Sequence, residues 1–324
     1  MNETRRALLD ALADGPVAGP ALADRLGVSR AAVWKQVEAL REDGFEIESG
    51  DEGYRVTAVP AYGAAAIAFG LEAPYRIEYH DSIGSTNSRA RELAADGASD
   101  VVVVADEQTG GRGRLGREWA SPSGGIWATP LVRPDRPPAE VPVFTLAAAV
   151  AVTRAAREAG VDARIKWPND VLVVDESDRA AGDSDESRRE AKLAGVRTEM
   201  EGEADRVSWL LAGIGVNANV DPDALPPRAT SLRAEVGDVD RRRFLQRVLE
   251  TFYALTGDDA DLRDVLDRWR DHAATLGRRV RVETPSGTVE GEAIDVEFPG
   301  SLVVRTAAGD RVVNAGDCEH LRPA

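Results

Sequence analysis

Residues 108–119 read Q-T-G-G-R-G-R-L-G-R-E-W, shortly after the apolar run V-V-V-V-A-D at 101–106. Gly111-Arg112-Gly113-Arg114-Leu115-Gly116 matches G-x-G-x-x-G behind a strand, the dinucleotide-binding pattern. That pattern needs a crossover helix next, its N-terminus facing a pyrophosphate. The following R-E-W-A-S-P-S-G-G cannot start one, because Pro122 and the pair Gly124-Gly125 break it. An RGG-type nucleic-acid segment would repeat within low-complexity surroundings, and this stretch does not. What remains is either a flexible surface turn or a glycine-rich loop that brings guanidinium groups to a small anion. Arginine suits the second role: its planar fork makes two parallel bonds to carboxylate or phosphate and keeps its charge.

Around this loop the chain has 324 residues, 43% of them hydrophobic, enough for a buried core and two or three domains. No run approaches 18 uninterrupted apolar residues, so no membrane span is expected. The opening M-N-E-T-R-R-A-L-L-D-A-L lacks the order of a signal peptide, and a cytoplasmic location is expected. A single cysteine, Cys318, excludes an intramolecular disulfide framework, and three histidines without metal-like spacing argue against zinc. The formal charge is −16, and lysine occurs only at Lys35, Lys166 and Lys192. An acidic, lysine-poor surface stays hydrated in concentrated salt, so a salt-adapted source is expected rather than a docking face for cationic partners.

Residues 1–57 form a first unit. T-R-R-A-L-L-D-A-L predicts a helix with Ala7, Leu8 and Leu12 on one face; G-P-A-L-A-D-R-L-G predicts a second, stopped by Gly27. A third helix starts after Ser29 as N-cap, carries Val33, Val37 and Leu40 inward, and stops at Gly44. F-E-I-E-S-G-D-E-G-Y-R-V alternates about a Gly-Asp-Glu-Gly turn, a hairpin signal. The order resembles a winged helix-turn-helix, whose third helix enters the DNA major groove. Ser29, Arg30, Trp34 and Lys35 cluster on the opening half of that helix and are the expected DNA contacts. Seven basic against eleven acidic side chains leave the unit at −4, so a protein-binding or dimerisation module stays open beside the DNA reading.

Residues 58–74 are small and suit a linker. From 75 to 272, strands at 76–80, 101–106 and 210–215 alternate with helices at 88–95, 143–159 and 241–255. After a second linker, short strands with Pro-Ser-Gly, Pro-Gly and Ala-Gly-Asp turns over 276–324 predict a small β-barrel. Residues 175–191 carry seven acids and almost no large apolar side chain, the composition of a flexible loop.

Four polar elements mark the middle unit: the loop at 107–119, I-K-W-P-N-D at 165–170, K-L-A-G-V at 192–196 and G-I-G-V-N-A-N at 213–219. Each has a plain reading, a turn or a tightly packed strand. In this order, with S-T-N at 85–87, they closely resemble biotin–protein ligases, and the winged helix in front resembles the bifunctional ligases that also repress the biotin operon. The resemblance covers 1–57, 75–272 and 276–324. It implies an α+β fold: a winged helix, a central mixed-sheet α/β domain like that of class II synthetases, and a C-terminal SH3-like barrel.

It also implies Mg-ATP-dependent formation of biotinyl-5′-AMP and transfer to a lysine of a biotin carboxyl carrier domain, with operator DNA and a homodimer as further partners. By residue matching, Arg112, Arg114 and Lys192 would stabilise the meeting of carboxylate and phosphate. Ser85, Thr86, Asn87, Gln108 and Gly113 would meet biotin beside those three cations. Arg114, Arg117, Trp119, Lys166, Asn169, Asp170 and Asn217 would serve ATP, with Asp170 holding Mg²⁺. Three departures are visible: the long acidic connection at 175–191, Leu115 where some relatives carry a base, and the acidic winged helix. A lipoate–protein ligase of the same fold, or a biotin-sensing regulator without activity, remains an alternative.

Overall fold

The computed structural model describes residues 3–174 and 190–321. Three helices, α1 (Glu3–Ala13), α2 (Gly19–Leu26) and α3 (Arg30–Glu42), precede the hairpin β1 (Glu46–Gly50) and β2 (Gly53–Ala58). Local chemistry sets the boundaries: Gly27 closes α2 at φ +63°, and Ser29 Oγ accepts the Ala32 N–H at 3.1 Å to open α3. At Gly53 (φ +110°) a Cβ would sit 2.2 Å from Val17 O. That bare backbone lets the hairpin dock on the α1–α2 connection through Val17–Tyr54 hydrogen bonds of 3.0 and 2.9 Å. Leu8, Leu12, Leu22, Val33, Val37, Leu40, Phe45 and Ile47 form the core, each large side chain contributing roughly 1.5–3 kcal/mol. The expected α1 face needs one correction. Ala7 is only half-buried, while Leu9 and Ala11 are buried, because α1 is covered by α4 (Ala64–Ala68) as well as by α2 and α3.

Helix α4 lies inside the stretch read as a linker. Its Ile67 and Ala68 join the main core while Ala65 and Phe69 pack on the N-terminal one, Phe69 edge-on to Phe45 at 5.9 Å. Gln246 Nε2 donates to the carbonyls of Ile67 and Phe69, both at 2.8 Å.

The central unit is a seven-stranded sheet of β3 (Arg76–Ile83), β4 (Val101–Gln108), β5 (Ile126–Val132), β6 (Ala163–Lys166), β7 (Asp170–Val174), β8 (Glu190–Gly202) and β9 (Val207–Val216). Their order is β3-β4-β5-β9-β8-β7-β6, with β3 and β4 parallel and every other pair antiparallel. Thus β4 returns through the glycine-rich loop into antiparallel β5, which excludes the crossover unit of a dinucleotide fold. Glu190 and Ala191, read as the end of the acidic loop, belong to β8; the reading of 175–189 falls outside the described residues.

One face of the sheet carries α5 (Thr86–Ala95); the other carries α6 (Val141–Glu158), which packs against α8 (Arg241–Thr256) and α9 (Asp264–Asp271). Length and hydropathy alone would let the α6 segment cross a membrane, but twelve of its eighteen residues are buried, as a core helix requires. The short helix α7 (Leu232–Val236) precedes α8.

The C-terminal unit is a five-stranded antiparallel sheet of β10 (Arg279–Thr284), β11 (Gly287–Glu297), β12 (Ser301–Thr306), β13 (Gly309–Val313) and β14 (Asp317–His320), in the order β13-β12-β11-β10-β14. Its Val280, Val282, Ala293, Val296 and Val304 run into the main core. Trp167 seals the junction: its indole donates to Gly300 O at 2.9 Å, and its backbone N–H to Thr275 Oγ1 at 2.9 Å.

Candidate functional site

A cavity of about 250 Å³ opens where the start of α5, the loop after β4, and the facing parts of β7, β8 and β9 converge. Its lining carries five cations, Arg112, Arg114, Arg117, Lys192 and Arg197, against three carboxylates, Glu118, Asp170 and Asp317. On a chain of net charge −16, that local excess of positive charge suits an anionic ligand.

One end is polar and tightly organised. Ser85 caps α5, its Oγ accepting the Ser88 N–H at 3.4 Å. Gln108 Oε1 accepts from Thr86 N at 2.8 Å and Thr86 Oγ1 at 3.0 Å, so its amide nitrogen faces Ser121 Oγ at 3.1 Å. Asn87 Nδ2 donates to Glu199 Oε1 at 2.9 Å, and its Oδ1 accepts from Thr129 Oγ1 at 2.8 Å.

The loop itself folds back as a short ladder. Gln108 N bonds Ser121 O at 2.9 Å, Trp119 N bonds Gly111 O at 3.1 Å, and Gly113 N bonds Arg117 O at 2.8 Å. Gly111 is required there, since a Cβ would lie 2.5 Å from both Ser121 Oγ and Trp119 O. Arg114 donates from Nη1 to Asn169 Oδ1 at 2.7 Å and from Nη2 to Gly316 O at 2.8 Å. Arg117 meets Asp317 Oδ2 at 2.5 Å, and Arg112, also exposed, lies 3.7 Å from Glu118.

Trp119 packs beside Gly195 and Gly215: a Cβ at Gly215 would lie 2.9 Å from its Nε1, and one at Gly195 would lie 3.3 Å from its ring. Its buried Nε1 has no acceptor among the described residues. Lys192 Nζ stands 4.9 Å over that ring and 2.7 Å from Asp170 Oδ1, an ion pair outside hydrogen-bond angles, so the buried Oδ1 receives no hydrogen bond from the described residues.

Of the site residues expected from sequence, Ser85, Thr86, Asn87, Gln108, Arg112, Gly113, Arg114, Arg117, Trp119, Asn169, Asp170 and Lys192 line this cavity. Lys166 and Asn217 do not. Lys166 pairs across β6–β7 with Asp170, and its charge acts on His320 and Cys318 of the C-terminal unit. Asn217 is buried, and its Nδ2 donates to Thr230 O at 3.0 Å and Lys192 O at 3.4 Å. Sequence reading missed Arg197, Glu118, Pro226 and Asp317, and left Gly195, Gly213 and Gly215 without a role although their motifs were noticed.

In the N-terminal unit, Ser29, Arg30, Trp34 and Lys35 are all exposed at the opening of α3, and Trp34 keeps 57% of its surface. An indole this open, on a helix face flanked by Arg30 and Lys35, leaves most of its surface to solvent.

Three family models match: the helix-turn-helix domain over 4–55, the biotin/lipoate A/B protein ligase family over 79–217, and the biotin protein ligase C-terminal domain over 275–321. The chain is similar to the bifunctional ligase/repressor BirA of Bacillus subtilis, at 36% identity across 94% of this chain and 93% of that one. It is 33% identical to the biotin–[acetyl-CoA-carboxylase] ligase of Paracoccus denitrificans over 72% of this chain and 95% of that one. Among solved structures it resembles the biotin protein ligase from Aquifex aeolicus in complex with biotin and ATP. That match has a TM-score of 0.60 at 26% identity and covers 76% of this chain and 99% of that one.

Proposed function

The chain belongs to the biotin protein ligase family, and from that premise we propose how its cavity joins biotin to AMP and passes the biotinyl group to a lysine of a biotin carboxyl carrier domain. In the first half-reaction a carboxylate oxygen attacks the α-phosphorus of ATP. The new C(O)–O–P bond forms as the bond to the β-phosphate oxygen breaks, and pyrophosphate leaves. Two anions must meet, so the principal task is to hold positive charge between them. We assign it to Arg112, Arg114 and Lys192. The single observation that carries the reading is their convergence on the cavity whose other end is the polar set Ser85, Thr86, Asn87 and Gln108. A cyclic urea offers donors and an acceptor to such a set, while the apolar body between suits the rest of biotin.

Arg117, Trp119, Asn169 and Asp170 are the nucleotide contacts in this reading, with Gly113 allowing close approach beside biotin. The unpartnered indole N–H of Trp119 is a donor for which a nucleotide supplies acceptors. Asn217 supports them by holding the Lys192 and Thr230 carbonyls, and Lys166 acts from the β6–β7 turn. Mg²⁺ would find one suitable ligand, the buried Asp170 Oδ1 without a hydrogen bond. Among the described residues no three His, Cys, Asp or Glu gather to cage an ion, so the phosphates would supply most oxygens. When bound, it would screen phosphate charge.

In the second half-reaction the acceptor amine attacks the carbonyl carbon; the amide forms, the C–O bond to AMP breaks, and the amine proton leaves. The glycine-rich loop, closed on the anhydride, keeps water from intercepting it.

A second activity rests on a separate observation. The exposed Arg30, Trp34 and Lys35 give α3 the cations and the aromatic surface of a major-groove reader, so the chain acts as a biotin-responsive repressor at operator DNA. We place it in the cytoplasm of a salt-adapted organism, as a homodimer on a two-fold symmetric operator; the charge of −16 with only three lysines supports the salt adaptation. The decisive experiment is incubation with biotin, ATP and a carrier domain, followed by intact-mass analysis, with lipoate competing in a parallel reaction. Addition of one biotinyl group supports the ligase, and lipoyl transfer alone overturns it.

A further inference from the structure

Glu199 lies on β8 behind the polar end of the cavity, outside the lining, with its side chain 16% exposed. Its carboxylate is held from three directions. Asn87 Nδ2 donates to Oε1 at 2.9 Å, Arg91 meets Oε2, and Arg197 Nε stands 3.3 Å from Oε1. Burial opposes its ionisation, but the Asn87 and Arg91 hydrogen bonds and the Arg197 charge outweigh that and keep it a carboxylate.

An ionised carboxylate only accepts hydrogen bonds. Asn87 must therefore turn its amide nitrogen toward Glu199 and its Oδ1 toward Thr129, where Oγ1 donates at 2.8 Å. Thr129 Oγ1 lies 2.9 Å from Thr86 Oγ1, which reaches Gln108 Oε1 at 3.0 Å. The far end of this chain is fixed as well, because the Thr86 backbone N–H can only donate and does so to Gln108 Oε1. Gln108 Nε2 is thereby sent to Ser121 Oγ, which donates on to Trp119 O at the foot of the glycine-rich loop. Gly213 leaves the space this requires, since a Cβ there would lie 2.2 Å from Asn87 Oδ1. The orientation of the Asn87 amide and the Thr129 hydroxyl thus follows from the charged acceptor, and that of Thr86, Gln108 and Ser121 from the backbone donor.

We propose that Glu199 is a positioning residue for substrate selection: by fixing the Asn87 amide it sets which edge of that amide, donor or acceptor, this end of the pocket presents. The inference rests on the ligase reading above, with the cyclic urea of biotin at this end. A ligand matching the urea pattern keeps its affinity, and one whose acceptor oxygen is replaced by a protonated nitrogen, as in 2-iminobiotin, is refused.

The test compares wild type with Glu199→Gln and Glu199→Asp, each first checked by thermal melting. Biotin and 2-iminobiotin affinities are measured by calorimetry without ATP, and the KM values for biotin and ATP by pyrophosphate release. Glu199→Gln keeps the shape but lets either end of its amide face Asn87. Its biotin affinity is expected to fall about 10-fold, with the ATP KM within about twofold and a narrowed preference for biotin over 2-iminobiotin. Glu199→Asp, charged but shorter, is expected to lie between. In an Asn87→Ala background, Glu199→Gln should cost nothing further, because Glu199 acts through Asn87.

Wild-type affinity and preference in either folded variant, or full additivity with Asn87→Ala, overturns the proposal. A wild-type protein that binds neither biotin nor ATP instead overturns the ligase reading itself, so the two failures are separable.

Discussion

Arg114 Nη1 and Asn169 Oδ1 lie 2.7 Å apart although 55 residues separate them in the chain. This contact joins the glycine-rich loop to the turn between β6 and β7, and the second half of the same guanidinium holds Gly316 O in the C-terminal unit. One arginine therefore touches three segments that must agree in position before two anions can be brought together.

Arg114→Ala and Lys192→Ala are each expected to lower adenylate formation by about two orders of magnitude, the usual loss when one donor to developing charge is removed. Both side chains are partly exposed and sit outside the hydrophobic cores, so thermal stability should change little. Pyrophosphate release at saturating substrates is the measurement; near wild-type rates in either variant would count against the assigned roles.

Gly215→Ala probes the seat of Trp119. The new methyl would lie 2.9 Å from the indole nitrogen and must displace the ring that carries Lys192 at 4.9 Å. The ATP KM is expected to rise about 10-fold or more, with the biotin affinity much less affected. Trp119 fluorescence should shift in the same variant, and an unshifted spectrum with normal ATP binding would show that the ring tolerates the methyl.

On α3, Arg30→Ala is expected to weaken binding to a promoter fragment and reduce the salt dependence by about one counterion. Trp34→Ala should weaken it at every salt concentration without changing that slope. Gel retardation over a salt series with biotin and ATP present separates the two, and unaltered binding in both would move the contact surface off this helix.

The junction of the C-terminal unit predicts a pH response. Burial raises the Glu190 pKa, but hydrogen bonds and charges from His320 and Arg278 dominate and bring it down to about 2. His320 is itself lowered, first by burial, so near neutrality the positive charge beside Glu190 is that of Arg278. Both folded pKa values lie below the unfolded ones. Their contribution to stability is therefore present above the unfolded values and lost as pH falls: first below 6.5 as unfolded His320 takes up a proton, then between 4.5 and about 2 for Glu190. Melting temperature against pH should decline in those two windows; His320→Gln should shrink the upper decline, which the buried His272 shares, and also the lower one, because His320 helps hold the Glu190 pKa down.

Much of the architecture was legible because its signals are local. The Ser29 cap, the Gly27 stop and the inward Val33, Val37 and Leu40 involve neighbours within four residues. The loop was legible in the negative: Pro122 and Gly124-Gly125 forbid a helix, and β5 follows instead. Partners far apart in the chain left no such signal. Arg117 and Asp317 are 200 residues apart, and nothing in the E-H-L-R-P tail marks its neighbour Asp317 as a site residue. Glu199 sits in T-E-M-E-G on a chain with 56 acids, where one more reads as surface. For Asn217 the sequence shows an amide but not its partners: carbonyls of Lys192 and Thr230, delivered by tertiary folding, take both of its hydrogens.

The placement of the three lysines has a consequence for chemical safety. A mixed anhydride released early acylates whichever amine it meets, and a ligase is the first surface it meets. Here Lys192 is paired with Asp170 and Lys166 is half-buried, which leaves Lys35 as the one exposed lysine. The abundant guanidinium groups stay protonated and do not compete as nucleophiles. A surface built from arginine and acids thus leaves the enzyme almost inert to its own intermediate, and any self-labelling would register at the opening of α3.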